Sequence, residues 1–152
     1  MKKLLILLGA TFLVIIMLTV VGIGLAVVKG STLDKQSKAY VDSTVPIIVS
    51  TWDEQELLNR ASPEFIQSSR KDELDKLYVM FRKLGKLRTY GGSEGQSYVS
   101  LTSQNGKTIT ASYTATTTFD AGSAQIKITL IRHNDQWQIL GFHVDSDVFL
   151  QQ

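Results

Sequence analysis

The sequence predicts an α+β domain that follows an N-terminal transmembrane helix. Residues Leu4 to Val28 form an apolar run without a charged side chain. After this run, apolar residues recur at helical spacing up to Leu84, and from Tyr98 to Val144 they alternate with polar residues. Because the helical segments precede the strand segments, the order indicates about three helices packed on a curved antiparallel sheet.

The apolar run is long enough to cross a bilayer. Its length of about 25 residues exceeds both the roughly 20 that a spanning helix needs and the core of roughly 7–15 residues typical of cleaved signal peptides. An uncleaved anchor is therefore favoured, although Gly24-Leu25-Ala26 offers a cleavage site and secretion after cleavage is the alternative. Because Lys2 and Lys3 precede the run, we expect a single pass through a bacterial cytoplasmic membrane, with the C-terminal domain outside the cytoplasm.

The chain is thereby divided into three parts. Residues 1–29 form the anchor or uncleaved signal, residues 30–38 form a polar juxtamembrane linker, and residues 39–149 form the folded domain. The first helix of that domain is predicted from Ala39 onward. Pro46 lacks an amide donor, so we expect the helix to kink or end near Val45.

Polar residues mark the starts of the following helices. Asp53 is a predicted N-cap, and Ser62 caps a turn in which Pro63 takes the first helical position. Ser69 is the predicted cap of the longest of these helices, and Gly85 is its predicted stop. The apolar face of that helix follows amphipathic spacing and consists of Leu74, Leu77, Tyr78, Phe81 and Leu84.

A hairpin is predicted at Asn105-Gly106, because a type I′ turn requires positive φ at both central residues. Tyr98–Thr102 precedes the turn as a strand and Thr108–Phe119 follows it as a longer one, while the glycine-containing segment Arg88–Gln96 is expected to be a loop after a short edge strand. The inward face of the longer strand is predicted to carry Ile109, Ala111, Tyr113, Ala115 and Phe119, and the outward face Thr108, Thr110, Ser112, Thr114, Thr116 and Thr118.

Two further strands complete the predicted sheet. The third has an apolar face made of Ala124, Ile126, Ile128 and Leu130, and a turn at Asn134-Asp135-Gln136 leads into the fourth, Trp137–Val144. The apolar residues of the fourth strand change sides, which indicates either two covered faces or a bulge. A bulge near Gly141 is favoured, because glycine within a strand often marks one.

Composition excludes several classes of function. The chain has no cysteine, which rules out disulfides, thiol nucleophiles and cysteine metal sites. Lys2 and Lys3 account for the formal net charge of +2, so the rest of the chain is balanced. A balanced domain lacks the concentrated basic face that nucleic-acid binding requires, so no nucleic-acid partner is expected.

Several residue patterns resemble the nuclear-transport-factor-two-like superfamily, which includes the ketosteroid isomerases and SnoaL-type cyclases. They are Trp52-Asp53 leading to Ala61-Ser62-Pro63-Glu64-Phe65, Leu84-Gly85 before the sheet, Phe119-x-x-Gly122-x-Ala124, and Asp135-Gln136-Trp137-Gln138-Ile139-x-Gly141-Phe142-x-Val144. The resemblance covers roughly residues 39–149 and implies a cone-shaped, cystatin-like fold. The bacterial members that the chain looks most like are secreted or membrane-tethered domains of unknown function.

The resemblance also implies where chemistry would take place. Isomerases of the superfamily use an acidic base and a tyrosine or a protonated aspartate inside the cone. The inward positions predicted here carry no carboxylate, so no catalytic residue is assigned. His143, Asp145 and Asp147 alternate on one strand face, but a zinc site needs three convergent ligands, and neither a metal site nor a cofactor is predicted.

Seven side chains are candidates for lining an apolar pocket, because aromatic groups with polar tips suit such sites. They are Tyr40, Trp52, Tyr78, Tyr113, Phe119, Trp137 and His143. The competing interpretation is that the aromatic members are core residues, since large aromatics dominate the cores of small domains.

The features together favour a non-catalytic interaction or scaffold module displayed at the membrane. The periplasmic scaffold subunit of type IV secretion systems resembles this plan of a tether followed by a cone-shaped domain. A protein partner or a homodimer is expected to use the sheet, whose Thr-rich outer face is a candidate contact surface. The alternative is a small apolar ligand carrier, and an isomerase or cyclase is less favoured.

Overall fold

In a computed structural model, the described residues are 32–102 and 106–150. The chain divides into two compact units, Met1–Leu33 and Asp34–Gln152. The predicted anchor, Leu4 to Val28, lies outside the described residues. Within the described ranges, no helix has the length and apolar character needed to cross a membrane.

The α+β class is confirmed, with a four-stranded antiparallel sheet in the order β1-β2-β3-β4. The helices are α1 (residues 32–51), α2 (Glu54–Leu58), α3 (Pro63–Ser68) and α4 (Lys71–Phe81), which continues into a 3-10 turn at Arg82–Leu84. The strands are β1 (Leu87–Thr102), β2 (Gly106–Phe119), β3 (Ser123–His133) and β4 (Gln136–Asp145), and a second 3-10 turn covers Asp147–Leu150.

Helix α1 continues through Pro46, so of the two outcomes predicted near Val45 the helix end is wrong, and the kink stays a prediction. Residues 32–38, predicted as linker, are helical as well. The reason is burial: the side chains of Val41, Val45, Ile48 and Val49 are fully buried. Burial of each such side chain stabilises the folded state by about 1.5–3 kcal/mol. The four side chains together therefore outweigh the roughly 3 kcal/mol that an interior proline costs a helix.

Two of the three predicted helix caps are confirmed. The side chain of Asp53 accepts a hydrogen bond from the amide of Gln55, and Ser62 caps α3 with Pro63 in the first turn. The predicted cap at Ser69 is wrong, because α4 begins one residue later and its N-cap, Arg70, makes no side-chain cap bond.

Strand β1 is longer than predicted, and the expected loop at Arg88–Gln96 is wrong. The segment pairs with β2 along its length, with register shifts between Leu87 and Thr89 and between Tyr90 and Ser93. Gly92 has a φ of 89° at the second shift, where a residue without a Cβ relieves strain. Gly91 and Gly92 therefore form a bulge within a strand instead of a loop, whereas Gly95 pairs regularly with Tyr113.

The turn chemistry also differs from the prediction. Thr102 pairs with Gly106, so residues 103–105, which lie outside the described residues, separate the strands instead of a two-residue turn centred on Asn105-Gly106. Positive φ at two successive residues occurs at Asn134 (48°) and Asp135 (64°), between β3 and β4. A type I′ geometry is thus found at the third hairpin, between β3 and β4.

The faces predicted for β2 and β3 are confirmed by alternating burial along both strands. The bulge in β4 is confirmed too, because Thr129 pairs with Gly141 and Leu130 with Ile139, which leaves Leu140 as the extra residue. The outer edge of β4 is covered by the α2–α3 connection: Ser62 donates its amide to the Ile139 carbonyl at 2.8 Å.

Candidate functional site

Four of the seven pocket candidates lie together in the core. Trp52, Tyr78, Tyr113 and Phe119 are each at least 97% buried. The Trp52 ring lies 5.3 Å from the Phe81 ring and 5.4 Å from the Phe119 ring. These side chains therefore fill the space between the helices and the inner face of the sheet.

The other three candidates lie apart from this group. Tyr40 and Trp137 are half-buried and pack at the margin of the core. The Arg132 guanidinium lies 5.7 Å from the centre of the Trp137 ring, within the range of a cation–π contact. His143 is exposed on the face of the sheet that points away from the core, where it lies beside its cross-strand neighbour Lys127.

The candidate residues also lie outside four surface clefts on the described part of the chain. These clefts have volumes of about 350–480 Å³, and none of the seven candidates lines any of them. Tyr113 also has its polar tip satisfied internally: its hydroxyl lies 2.9 Å from the Ser37 hydroxyl and donates to the Asp34 carbonyl at 3.0 Å. A hydroxyl held in this way acts as a structural tie between α1 and β2.

The hydroxyl of Tyr78 is arranged differently. It is buried without a hydrogen-bond partner among the described residues, as is the indole nitrogen of Trp52. Burial raises the pKa of Tyr78, and the negative charges of Glu54 and Asp53 raise it further. The phenol is therefore held in its neutral form.

A carboxyl pair lines the cleft beside α2 and α4. Burial raises the pKa of Glu54, and the hydrogen bond and charge of the neighbouring Asp75 carboxyl raise it further. The cleft has a volume of about 400 Å³ and also contains Lys71. Among the residues that the structure describes, no group of three or more His, Cys, Asp or Glu side chains is arranged to hold a metal ion.

A ladder of polar contacts, which the sequence reasoning missed, fastens α1 to β1. The Asp34 carboxylate accepts hydrogen bonds from the amide (2.7 Å) and the hydroxyl (2.5 Å) of Ser97. Two turns along the helix, the Asp42 carboxylate accepts from the hydroxyls of Ser93 at 2.6 Å and Tyr90 at 2.7 Å. The spacing of four residues between Asp34, Lys38 and Asp42 was the available signal, since such residues share a helix face.

Electrostatics within the ladder favour the charged carboxylate. Burial alone would raise the pKa of Asp42, but hydrogen bonds from Ser93, Lys38 and Tyr90 outweigh it, and the pKa lies below its ordinary value. Lys38 contributes an ammonium group 2.9 Å from the Asp42 carboxylate. The ladder therefore has the chemistry of a structural clamp between helix and strand.

The outer face of the sheet is open and polar. Ser112, Thr116 and Thr118 of β2 are exposed there, as are Gln125 and Lys127 of β3 and His143 and Asp145 of β4. Pairing places Thr116 beside Gln125, and Gln125 beside Asp145, so that the exposed groups form one continuous surface across three strands. We call this surface the outer sheet face.

At one end, β1 and β2 extend past the other strands. Pairing between β2 and β3 begins at Thr110, whereas β1 and β2 continue to pair from Val99 with Ile109 to Thr102 with Gly106. We call the segments Val99–Thr102 and Gly106–Ile109 the ribbon. Val99 is 51% exposed and Leu101 78%, and Tyr98 at its base is 50% exposed. Exposed apolar side chains of this size, grouped at one end of a sheet, mark a candidate contact site.

Searches for related proteins gave no match to any family model and no match among curated proteins.

Proposed function

We propose that the chain is a non-catalytic interaction module, held by the apolar segment Leu4–Val28 at the outer face of a bacterial cytoplasmic membrane. Secretion after signal cleavage is the alternative location. We further propose the cone-shaped, cystatin-like arrangement of the nuclear-transport-factor-two-like superfamily for residues 39–149. The helices-then-sheet order and the layer of aromatic side chains between helices and sheet support this proposal.

The observation that carries the interaction role is the outer sheet face. An antiparallel sheet is often solvated on one face, and here that face presents hydroxyl, amide and charged groups side by side. The Lys127 ammonium and the Asp145 carboxylate lie 3.5 Å apart on this face, so both signs of charge are available to a partner. A protein partner or a second copy of the chain, docked on the sheet, is the partner class proposed.

An apolar ligand carrier draws less support. Such proteins enclose a cavity of several hundred cubic ångströms with mostly apolar walls. The corresponding space here holds Trp52, Tyr78, Tyr113 and Phe119, all in the core cluster. An isomerase or cyclase would in addition need a carboxylate at an inward position, and the buried positions of β2 and β3 carry none.

Site-directed cross-linking tests the interaction role. The chain has no cysteine, so a single Thr116→Cys variant can carry a photoreactive group on the outer sheet face. Lys76→Cys, at an exposed position of α4, is the matched control. We expect a discrete adduct in native membranes from position 116 and none from position 76.

The size of the adduct separates the partner classes, because a homodimer has twice the mass of the chain. A second substitution on the same surface, Gln125→Arg, is expected to abolish the adduct. Equal labelling from both positions, or no adduct from position 116, would count against the proposal. Resistance of the full-length protein to alkaline extraction tests the anchor independently.

A further inference from the structure

The ribbon is a second exposed surface, distinct from the outer sheet face, and its position along the chain carries the inference. The polar ladder shows in which direction α1 runs relative to β1. Asp42 contacts Tyr90 and Ser93, whereas Asp34, eight residues earlier, contacts Ser97. Helix α1 and strand β1 therefore run in opposite directions, and the start of α1 lies at the end of β1 that leads into the ribbon.

Chain length limits how far the predicted anchor lies from this end. Val28 and Asp34 are six residues apart, and an extended chain covers at most about 3.6 Å per residue, or about 20 Å in all. Leu101 lies four residues beyond Ser97 along β1, which is about 13 Å at the rise of a strand. The headgroup layer adds roughly 5–8 Å on each side of the hydrocarbon core. The ribbon is thus long enough to reach the headgroups of a bilayer that holds residues 4–28.

The composition of the ribbon fits that environment. No charged residue occurs between Glu94 and Lys107. Val99 and Leu101 pair with Ile109 and Lys107, which places them on the inner face, while Tyr98 pairs with Thr110 on the outer face. Both faces therefore present exposed apolar or aromatic groups. Tyrosine is enriched at the membrane–water interface, and lysine can extend from apolar surroundings toward water.

We propose that Val99 and Leu101 of the ribbon, together with Tyr98 at its base, insert into the lipid headgroup layer as a second membrane contact in addition to the anchor. This inference rests on the membrane anchor of the proposed function. The contact limits tilting of the domain relative to the membrane and leaves the outer sheet face, on other residues, available to a partner. A second copy of the chain is the competing occupant, since an uncharged strand edge can also pair with itself.

The absence of native cysteine allows a direct test with the full-length protein. Single-cysteine variants Leu101→Cys, Val79→Cys and Ile16→Cys are labelled with a polarity-sensitive fluorophore and reconstituted into vesicles of phosphatidylethanolamine and phosphatidylglycerol. Val79, on α4, is 60% exposed and is the matched control for an exposed apolar position. Position 16 reports on the anchor.

We expect the label at position 101 to emit at shorter wavelength than the label at position 79, and to be quenched by headgroup-nitroxide lipids. The label at position 16 should be quenched by lipids with a nitroxide deep in the acyl chain. An aqueous label at position 101 together with an embedded label at position 16 overturns the inference and leaves the anchor intact. An aqueous label at position 16 removes the anchor and the inference together.

Two further outcomes also decide against lipid insertion. Equal quenching at positions 79 and 101 shows adsorption of the whole domain instead of the ribbon. Efficient disulfide formation between copies of unlabelled Leu101→Cys, without lipid quenching of the labelled form, identifies a second copy as the occupant. Tyr98→Cys provides a second probe, at the base of the ribbon, and an unchanged near-ultraviolet circular dichroism spectrum shows that each variant is folded.

Discussion

Replacing two buried tyrosines by phenylalanine tests whether hydrogen bonding at the helix–sheet interface follows the structure. Tyr113 and Tyr78 are 2% and 1% exposed, so both substitutions remove one hydroxyl from equally buried rings. The Tyr113 hydroxyl has two partners, Ser37 at 2.9 Å and the Asp34 carbonyl at 3.0 Å. The Tyr78 hydroxyl has none among the described residues.

The two substitutions should therefore have different effects on the free energy of unfolding. A protein hydrogen bond contributes about 0.5–1.5 kcal/mol net, so Tyr113→Phe is expected to lower the free energy of unfolding by about 1–3 kcal/mol. An unpartnered buried hydroxyl carries a desolvation penalty of about 1–3 kcal/mol, so Tyr78→Phe is expected to be neutral or stabilising. With a urea m-value of about 2 kcal/mol per M, the midpoints of the two variants should differ by roughly 1 M.

Urea unfolding of the full-length protein in mild detergent provides the assay. Its signal comes from Trp52 and Trp137, the two tryptophans of the chain, which both belong to the described part. Unchanged m-values for both variants serve as the control that the denatured state is the same. If Tyr78→Phe lowers the midpoint as much as Tyr113→Phe does, the assigned hydrogen bonds do not account for the stability of this interface.

Four other substitutions test backbone and charge. Gly95→Ala should lower the free energy of unfolding by about 3 kcal/mol or more, because the added Cβ would lie 2.0 Å from the Ser112 carbonyl oxygen. Gly92 has open space around it but a φ of 89°, so Gly92→Ala should lower the free energy of unfolding by only about 1–2 kcal/mol. Pro46→Ala should raise the free energy of unfolding by about 1–3 kcal/mol in the same urea assay, because a helix-interior proline lacks an amide donor; a lower midpoint would contradict this. Backbone and side-chain hydrogen bonds lower the pKa of Asp120 from its usual 3.8. The charged Asp120 carboxylate therefore stabilises the folded state above pH 3.8, and this stabilisation is lost as the pH falls through the lowered pKa. Asp120→Asn should reduce the loss of the urea midpoint at acid pH, and an unchanged loss would refute this prediction.

Local patterns predicted several features correctly. The inner faces of β2 and β3 follow from period-two alternation, because successive side chains of a strand point to opposite sides. The caps at Asp53 and Ser62 follow from the chemistry of helix starts, and the bulge at Gly141 from glycine within a strand. Each depends on residues only a few positions apart.

The errors arise where distant residues decide. Pro46 remains within a helix because the apolar side chains around it are buried against the rest of the domain. The segment Arg88–Gln96 is a strand because β2 offers it a partner along its length, and Gly91 and Gly92 are accommodated as one bulge. Neither stabilising contribution is visible in the local sequence.

For the candidate pocket residues too, the local sequence predicts one part of the arrangement and tertiary packing sets the rest. The sequence placed Tyr113 and Phe119 on the inner face of the sheet, but an inward aromatic side chain can line a cavity or fill it. That outcome depends on the summed volume of side chains from α1, α4 and the sheet, and here Trp52 and Phe81 pack against Phe119 and Tyr78. The ladder at Asp34 and Asp42 was missed for a related reason, since its partners lie about 50–60 residues away along the chain.

Neighbouring side chains were enough to predict the alternating faces of β2 and β3 and the caps at Asp53 and Ser62, because these features depend on contacts within a few residues. Neighbouring side chains also predict a membrane anchor at Leu4–Val28. Tertiary structure decided that the inner face is filled with aromatic rings and that β1 and β2 continue together past Thr110. It also placed Asp34 beside Ser97 and so set the direction of the ribbon relative to α1. Packing and strand register decide such features, because their free energies come from contacts between segments that are remote in sequence.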